Sequence, residues 1–134
     1  MTLPSNVPTD VPTAKTILVA DDSEAHLALI SSMLKDRYTL VPKEDGKAAL
    51  SYLKTNRPDL IILDVNMPFI DGLSIVERVK WVPRLQDVPT VVVTAHDDEE
   101  TRENADWVKP DAFLLKSELN KALLVATVTR LLGA

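Results

Sequence analysis

The 134-residue sequence has no cysteine, only three glycines and few aromatic residues. The absence of cysteine excludes disulfide frameworks, thiolate-ligated zinc, iron–sulfur clusters and thiol catalysis. No apolar run approaches the roughly 20 residues that a membrane-spanning helix needs, so no membrane partner is expected. The N-terminus also lacks the charged-then-apolar pattern of an export signal, which predicts a cytoplasmic protein.

An excess of positive charge is missing as well. The chain has 15 Lys and Arg residues against 20 Asp and Glu residues, giving a net charge of −5. Nucleic acid is therefore not an expected partner, because no basic patch is available to displace its counterions. A chain of this length forms one domain and buries enough apolar surface to fold without disulfides or a structural metal.

The N-terminal segment carries a proline at every fourth position, at Pro4, Pro8 and Pro12. Proline lacks a backbone N–H and disfavours helix in the residue before it. We therefore expect residues 1–14 to form a flexible tail and residues 15–134 to form the folded domain. A role of the tail as a proline-motif ligand is the less favoured alternative.

Five short apolar runs follow the tail and alternate with amphipathic segments. Runs that are short, continuous and aliphatic are typical of strands buried on both faces. They are Ile17-Leu18-Val19-Ala20, Tyr38-Thr39-Leu40-Val41, Leu60-Ile61-Ile62-Leu63, Val91-Val92-Val93 and Phe113-Leu114-Leu115.

The intervening segments have apolar residues at helical spacing. Ser23 is the predicted N-cap of the first helix, and Asp97 or Asp98 suits the start of the fourth. The fifth is expected to run from about Ser117 to Leu132. Its apolar residues extend beyond one stripe, which indicates either an interface or a wide buried face.

Five strands alternating with five helices predict an α/β fold with a parallel sheet. Right-handed crossovers favour a flavodoxin-like, doubly wound (βα)5 arrangement with strand order 2-1-3-4-5. Pro42 at the end of the second run agrees with this order, because it places strand 2 at an edge, where proline is tolerated. Trp81 and Trp107 fall at predicted helix ends, where packing is the favoured role.

Polar residues follow four of the five runs, namely Asp21 and Asp22, Asp64, Thr94, and Lys116. The carboxyl ends of the strands form the functional crevice of such folds, so these side chains should converge. Clustered carboxylates raise one another's pKa or recruit a cation, and all-oxygen ligands favour Mg²⁺ over Zn²⁺. With a lysine and a hydroxyl, the set predicts a phosphoryl site in which a carboxylate can be the nucleophile. The alternative is that each acid only caps a helix.

Several of these segments occur in a specific order. They are Ile17-Leu18-Val19-Ala20-Asp21-Asp22, Asp45-Gly46 with Ala49-Leu50, Asp64-Val65-Asn66-Met67-Pro68 running to Asp71-Gly72, Val91-Val92-Val93-Thr94-Ala95, and Phe113-Leu114-Leu115-Lys116. From about Lys15 to Leu132 the chain resembles the receiver domain of two-component response regulators, the phospho-aspartate module typified by chemotaxis regulators.

The resemblance implies that Asp64 is the phosphoacceptor. It implies that Asp22 and Asp64 ligate Mg²⁺ directly, with the backbone carbonyl of Asn66 as a third protein ligand. Asp21 would act through water or position the ion. Asn66 and His96 each lie two residues past a site residue, where they would tune autodephosphorylation; for His96 a solvated loop position is an equal alternative.

The resemblance also gives roles to three further residues. Lys116 would pair with Asp64 and then with the phosphoryl oxygens, and Thr94 would hydrogen-bond the phosphoryl group. Phe113 stands at the position of the family's switch aromatic, whose rotamer follows Thr94. Two positions depart from the family pattern. Ser117 replaces the proline that usually follows the lysine, and Lys109-Pro110 replaces a pair of small residues before strand 5. Neither change removes a catalytic group, and both concern the output surface.

The function that follows is that of a single-domain response regulator, since the chain ends directly after the fifth helix. A sensor histidine kinase or a histidine phosphotransfer protein would donate the phosphoryl group, and the protein would catalyse only its own phosphorylation and dephosphorylation. The face of helix 4, strand 5 and helix 5 would bind an output protein, and a homodimer is a further expectation.

Three other functions compete with this one. A phosphate-independent receiver-like scaffold would have lost an acid or the lysine, and none is lost. A dehalogenase-type phosphatase needs an acid two residues after its nucleophile, where this chain has Asn66. A flavodoxin-like FMN carrier needs a phosphate loop rich in Ser, Thr and Gly, whereas Asp21-Asp22-Ser23-Glu24 is acidic.

Overall fold

A computed structural model describes residues 14–95 and 97–133. The predicted tail therefore falls almost wholly outside the described residues, as does His96. The elements are β1 (Thr16–Ala20), α1 (Glu24–Leu34), β2 (Thr39–Lys43), α2 (Gly46–Thr55), β3 (Leu60–Leu63), α3 (Gly72–Trp81), β4 (Thr90–Thr94), α4 (Glu99–Val108), β5 (Ala112–Leu115), a 3-10 turn (Lys116–Glu118) and α5 (Lys121–Leu132). None of the helices in this part of the chain combines the length and the apolar character that crossing a membrane requires.

The five strands form one parallel sheet in the order β2-β1-β3-β4-β5. This confirms the predicted flavodoxin-like arrangement. β2 lies at an edge, as Pro42 indicated, but the proline is inside the strand, opposite Val19, rather than at its end. Ala20 at the end of β1 lies opposite Leu63 at the end of β3, so the chain leaves both strands at the same level.

Alternating strand residues build two apolar layers, one on each face of the sheet. Leu18, Ile61 and Val92 belong to the layer that packs against α2, α3 and α4. Ile17, Ile62 and Val93 belong to the layer that packs against α1 and α5. Successive strand side chains point to opposite faces, so the continuous apolar runs supply both layers at once.

Side-chain caps start the helices where the sequence suggested. The Ser23 hydroxyl accepts a hydrogen bond from the His26 N–H, and the Asp98 carboxylate accepts one from the Thr101 N–H. Asp45 caps α2 in the same way. Each cap satisfies a backbone donor that has no partner within its helix.

Two expectations about the helices were wrong. α5 begins at Lys121 rather than near Ser117, because residues 116–118 form a 3-10 turn and the Asn120 carboxamide caps α5. Trp81 and Trp107 do not pack into the protein, since each is 81% exposed.

Candidate functional site

Three carboxylates converge at the carboxyl ends of β1 and β3. Asp21 and Asp64 are both buried, and the Asp64 N–H donates to the Ala20 carbonyl at 2.9 Å. Asp22 is exposed at the mouth of this pocket. One oxygen from each carboxylate lies within 4.8 Å of the others. The register of β1 and β3 therefore brings the three predicted acids together.

Lys116 supplies the positive charge of the pocket. Its ammonium group lies 3.0 Å from Asp21 Oδ2 and 3.2 Å from Asp64 Oδ2. The side chain reaches the acids from the end of β5, two strands away from β3. A contact with Asp64 was expected, whereas the slightly shorter contact with Asp21 makes the lysine a bridge between the two buried acids.

His26 is a contact residue that the sequence analysis missed. Its Nδ1 lies 2.9 Å from Asp21 Oδ2, while the Ser23 N–H donates to Asp21 Oδ1 at 2.9 Å. Together with Lys116, these groups engage both oxygens of Asp21. The available signal was the Ser23 cap, because it places residue 26 in the first turn of α1, directly above the end of β1.

The pocket shifts the titration of its charged groups. Burial raises the pKa of Asp64 above its ordinary value of 3.8, and the charge of Asp21 raises it further, against the lowering effect of Lys116. Burial alone would lower the pKa of Lys116, but the hydrogen bond to Asp21 and the charge of Asp64 outweigh it and raise that pKa. The lysine is therefore held as a cation beside a carboxylate that is costly to ionise.

Because ionising the buried Asp64 carboxyl destabilises the folded state, Asp64→Asn should stabilise the metal-free protein, by an amount that depends on pH. Between 3.8 and the raised pKa of Asp64, the folded state binds more protons than the unfolded state, so the stability of the wild type falls as pH rises through that window. The amide does not titrate, so the variant should be more stable than the wild type at neutral pH, with a gain that shrinks toward acid pH.

The measurement is urea unfolding in EDTA at several pH values. Asp87→Asn is the matched control, because Asp87 is exposed and lies in the loop before β4. An Asp64→Asn variant no more stable than the wild type at neutral pH would contradict the burial penalty.

The remaining predicted residues surround the acids. Thr94 is fully buried at the end of β4, opposite Leu115, which directly precedes Lys116. Asn66 is exposed in the loop after β3, and its N–H lies 3.4 Å from Asp64 Oδ1. Phe113 on β5 is half-buried, and the Arg102 guanidinium of α4 lies 4.8 Å from its ring centroid. This cation–π contact was not expected from the sequence.

The loop between β3 and α3 returns close beneath the phosphoacceptor candidate. The Gly72 N–H donates to the Val65 carbonyl at 3.0 Å. A Cβ atom on Gly72 would lie 2.1 Å from the backbone oxygen of Asp64, far inside any allowed contact. Glycine is therefore required here because the helix start passes so close to the Asp64 main chain. Asp71 caps α3 and fixes the same turn.

The described residues fit a divalent cation. The pocket offers carboxylate oxygens from Asp21, Asp22 and Asp64, and hard cations of the Mg²⁺ type prefer oxygen ligands. One of the three carboxylates is exposed, which leaves an entry path. The two buried acids also carry one more negative charge than Lys116 neutralises, so a further cation is favourable.

Comparisons with known proteins agree with this geometry. The family model described as response regulator receiver domain matches residues 17–129. Response regulator Rcp1 of Synechocystis sp. is 32% identical in an alignment of 119 residues, and the match covers 81% of this chain and 81% of Rcp1. The signal receiver domain of a histidine kinase from Syntrophus aciditrophicus has a TM-score of 0.85 at 30% identity, over 90% of this chain and 91% of that one.

A metal-bound relative is among the similar structures. The crystal structure of the Mn(2+)-bound form of Rcp1 has a TM-score of 0.73 at 31% identity, over 84% of this chain and 88% of that one. The first curated relatives are longer proteins, since this chain spans 16% of a gliding motility regulatory protein and 52% of a transcriptional regulatory protein. With fold, pocket and family model in agreement over most of its length, the chain belongs to the response regulator receiver domain family.

Proposed function

We propose that Asp64 accepts a phosphoryl group from a phosphohistidine of a sensor histidine kinase or of a histidine phosphotransfer protein. The proposal rests on one observation above all, the placement of Asp64 beside Lys116 and Asp21 in a buried pocket at the strand ends. Such a pocket supplies a carboxylate nucleophile together with a fixed positive charge.

The reaction forms one bond and breaks one. A carboxylate oxygen of Asp64 attacks the phosphorus atom, the phosphorus–nitrogen bond to the donor imidazole breaks, and the imidazole leaves with the bonding electron pair and takes a proton. Asp64 Oδ2 already accepts from Lys116, whereas Oδ1 has, among the described residues, only a long contact with the Asn66 N–H. Oδ1 is therefore the less engaged oxygen and the better candidate nucleophile.

Lys116 and Thr94 have complementary tasks in this proposal. As negative charge shifts from the Asp64 carboxylate to the phosphoryl oxygens, the Lys116 ammonium would move to pair with those oxygens. The Thr94 hydroxyl, at the end of β4, would donate a hydrogen bond to the phosphoryl group. Asp21, Asp22, Asp64 and the Asn66 carbonyl would hold Mg²⁺. When bound, the ion neutralises charge on the phosphoryl oxygens. Hydrolysis of the acyl phosphate, tuned by Asn66 and His96, would reset the protein.

Phosphorylation in the pocket would change the conformation of the face formed by α4, β5 and α5. Phe113 lies on β5 beneath Arg102 of α4, and Arg102 also pairs with Asp97 in the loop that follows β4. A movement of Thr94 would displace this loop and change how Arg102 covers the ring. An output protein, or a second copy of the chain, would read the change through that face.

Intact mass after incubation with acetyl phosphate tests the proposal. Wild type should gain one phosphoryl group in Mg²⁺ and none in EDTA, because the carboxylates and the phosphoryl oxygens repel each other without the ion. Asp64→Asn should gain none in either condition. Asp87→Asn, the matched removal of an exposed carboxylate, should label like wild type.

The competing function has a different outcome. A folded wild type that stays unlabelled with acetyl phosphate and with phosphorylated kinase would favour a phosphate-independent interaction scaffold. Full labelling of Asp64→Asn would place the acceptor on another residue.

A further inference from the structure

The outer surface of α3 and α4 carries an exposed aromatic pair. Trp81 ends α3 and Trp107 lies one residue before the end of α4, and each is 81% exposed. Both rings line one surface cavity of about 340 Å³, together with Glu77, Lys80 and Val108. Two exposed tryptophans facing one cavity form an apolar patch of the kind that marks an interaction site.

A second cavity continues from this patch along the groove between the two helices. Its volume is about 540 Å³, and Trp107 and Val108 line it as well as the first cavity. Among the residues that the structure describes, four carboxylates line this groove and no cationic side chain does. They are those of Asp71, Glu77, Asp98 and Glu100. The α3–α4 groove is thus acidic along its length and aromatic at one end.

The two helices are held together at the aromatic end. The Lys80 ammonium of α3 donates to the backbone carbonyls of Val108 and Lys109, which close the C-terminal end of α4. Lys109 adopts a left-handed conformation with φ 55° that turns the chain away from the helix. In this position the Lys80 ammonium stabilises the negative, C-terminal end of the α4 dipole. It therefore does not neutralise the carboxylates that line the groove.

The carboxylates in the middle of the groove are available to a ligand. Glu77 is exposed on α3, Glu100 is exposed on α4, and neither forms a salt bridge with any residue that the structure describes. Asp71 and Asp98 also act as helix caps, so the two glutamates are the groups best able to meet an incoming cation.

We propose that the α3–α4 groove docks an arginine-rich segment of another protein. Guanidinium groups would pair with Glu77 and Glu100, and one would stack on the indole of Trp107, since arginine binds both carboxylates and aromatic faces. Charge complementarity selects this occupant, because the phosphate backbone of a nucleic acid or an anionic membrane would be repelled by the same carboxylates. The proposal does not depend on phosphorylation of Asp64.

The chain provides its own reporter for the test, because Trp81 and Trp107 are its only tryptophans. An oligoarginine peptide should shift and quench the tryptophan emission in a saturable way, and raised salt should weaken the effect. An oligoglutamate peptide should leave the emission unchanged. Trp107→Phe should lose most of the response, whereas the folded protein keeps Trp81 as a second reporter.

A charge-matched comparison separates the groove from general attraction to an acidic protein. The double variant Glu77→Gln with Glu100→Gln should weaken peptide binding by about fivefold, as expected for the loss of two exposed ion pairs. Glu103→Gln with Asp87→Asn also removes two negative charges, one from α4 and one from the loop before β4, outside the residues that line the groove. This control should bind like wild type.

Two results would overturn the proposal. Equal weakening in both double variants would mean that the peptide follows net charge rather than the groove. A tryptophan emission that shifts with protein concentration alone, with a matching change in the mass seen by light scattering, would identify a second copy of the chain as the occupant.

Discussion

Lys116→Met is expected to lower the free energy of unfolding at neutral pH by about 2 kcal/mol in metal-free protein. The lysine is the cation that bridges Asp21 and Asp64 at 3.0 and 3.2 Å, and both carboxylates are buried. Its removal leaves two buried negative charges facing each other, which costs more than the loss of one surface pair. The expected loss is smaller than for a fully buried ion pair because the lysine side chain is 20% exposed.

The loss should diminish as pH falls. In the variant, the positive charge that lowers the pKa of Asp64 is absent, while burial and Asp21 still raise that pKa. Asp64 therefore takes up a proton at a higher pH in the folded variant than in the unfolded chain. The stability of the variant therefore rises toward acid pH relative to the wild type. Under the proposed function, the rate of labelling by acetyl phosphate should also fall about 100-fold, the effect of removing one well-placed positive group.

Lys121→Met is the matched control for both measurements. Lys121 begins α5, its side chain is 62% exposed, and its ammonium group is 3.9 Å from an Asp36 carboxylate that is itself 74% exposed. An exposed pair of this kind contributes little to stability. Equal urea midpoints for the two lysine variants would contradict the bridging role of Lys116.

Gly72→Ala is expected to destabilise the protein by about 2 kcal/mol. The added methyl group would meet the backbone oxygen of Asp64 at 2.1 Å and the Leu63 Cβ at 3.2 Å. Both neighbours belong to the main chain or to the buried end of β3, so neither can swing aside. The helix start must shift instead, at a cost that exceeds the higher helix propensity of alanine.

Thermal unfolding should show the effect as a fall in Tm of roughly 8 °C. Gly133→Ala is the comparison, because Gly133 has φ 72° and, apart from its chain neighbours, no atom of the described residues lies within 4 Å of an added Cβ. That change costs only the strain of a left-handed alanine, about 1 kcal/mol. A Gly72→Ala protein as stable as Gly133→Ala would show that the loop beneath Asp64 is not rigid.

The fold and much of the site could be predicted because both follow from where the apolar runs stop. Asp21, Asp64, Thr94 and Lys116 each come directly after a run, and parallel strands bring their carboxyl ends to one edge of the sheet. The positions of the apolar runs and the parallel direction of the strands are therefore enough to predict that these four side chains lie together. The roles assigned to these residues stay predictions until the labelling experiment is done.

The sequence did not predict contacts that depend on how a helix is rotated about its axis. His26 reaches Asp21 only because α1 presents that side to the strand end, and the apolar pattern gives helical rotation to within a residue at best. The exposure of Trp81 and Trp107 ran against the burial that is usual for large aromatic rings. The start of α5 was misjudged because Leu119 continues the apolar pattern across a 3-10 turn.

The position of Pro42 has a consequence for assembly. On β2, the Thr39 N–H donates to Lys15 and the Lys43 carbonyl accepts from Asp21, so these alternate residues face β1. Pro42 therefore faces outward, where its missing N–H interrupts the row of donors along the free edge. Another strand cannot pair along this edge without leaving a carbonyl unmatched, which protects the protein from edge-to-edge aggregation. Pro42 therefore disfavours strand pairing along the free edge of β2, and a dimer of this chain is expected to form through its helices or across β5.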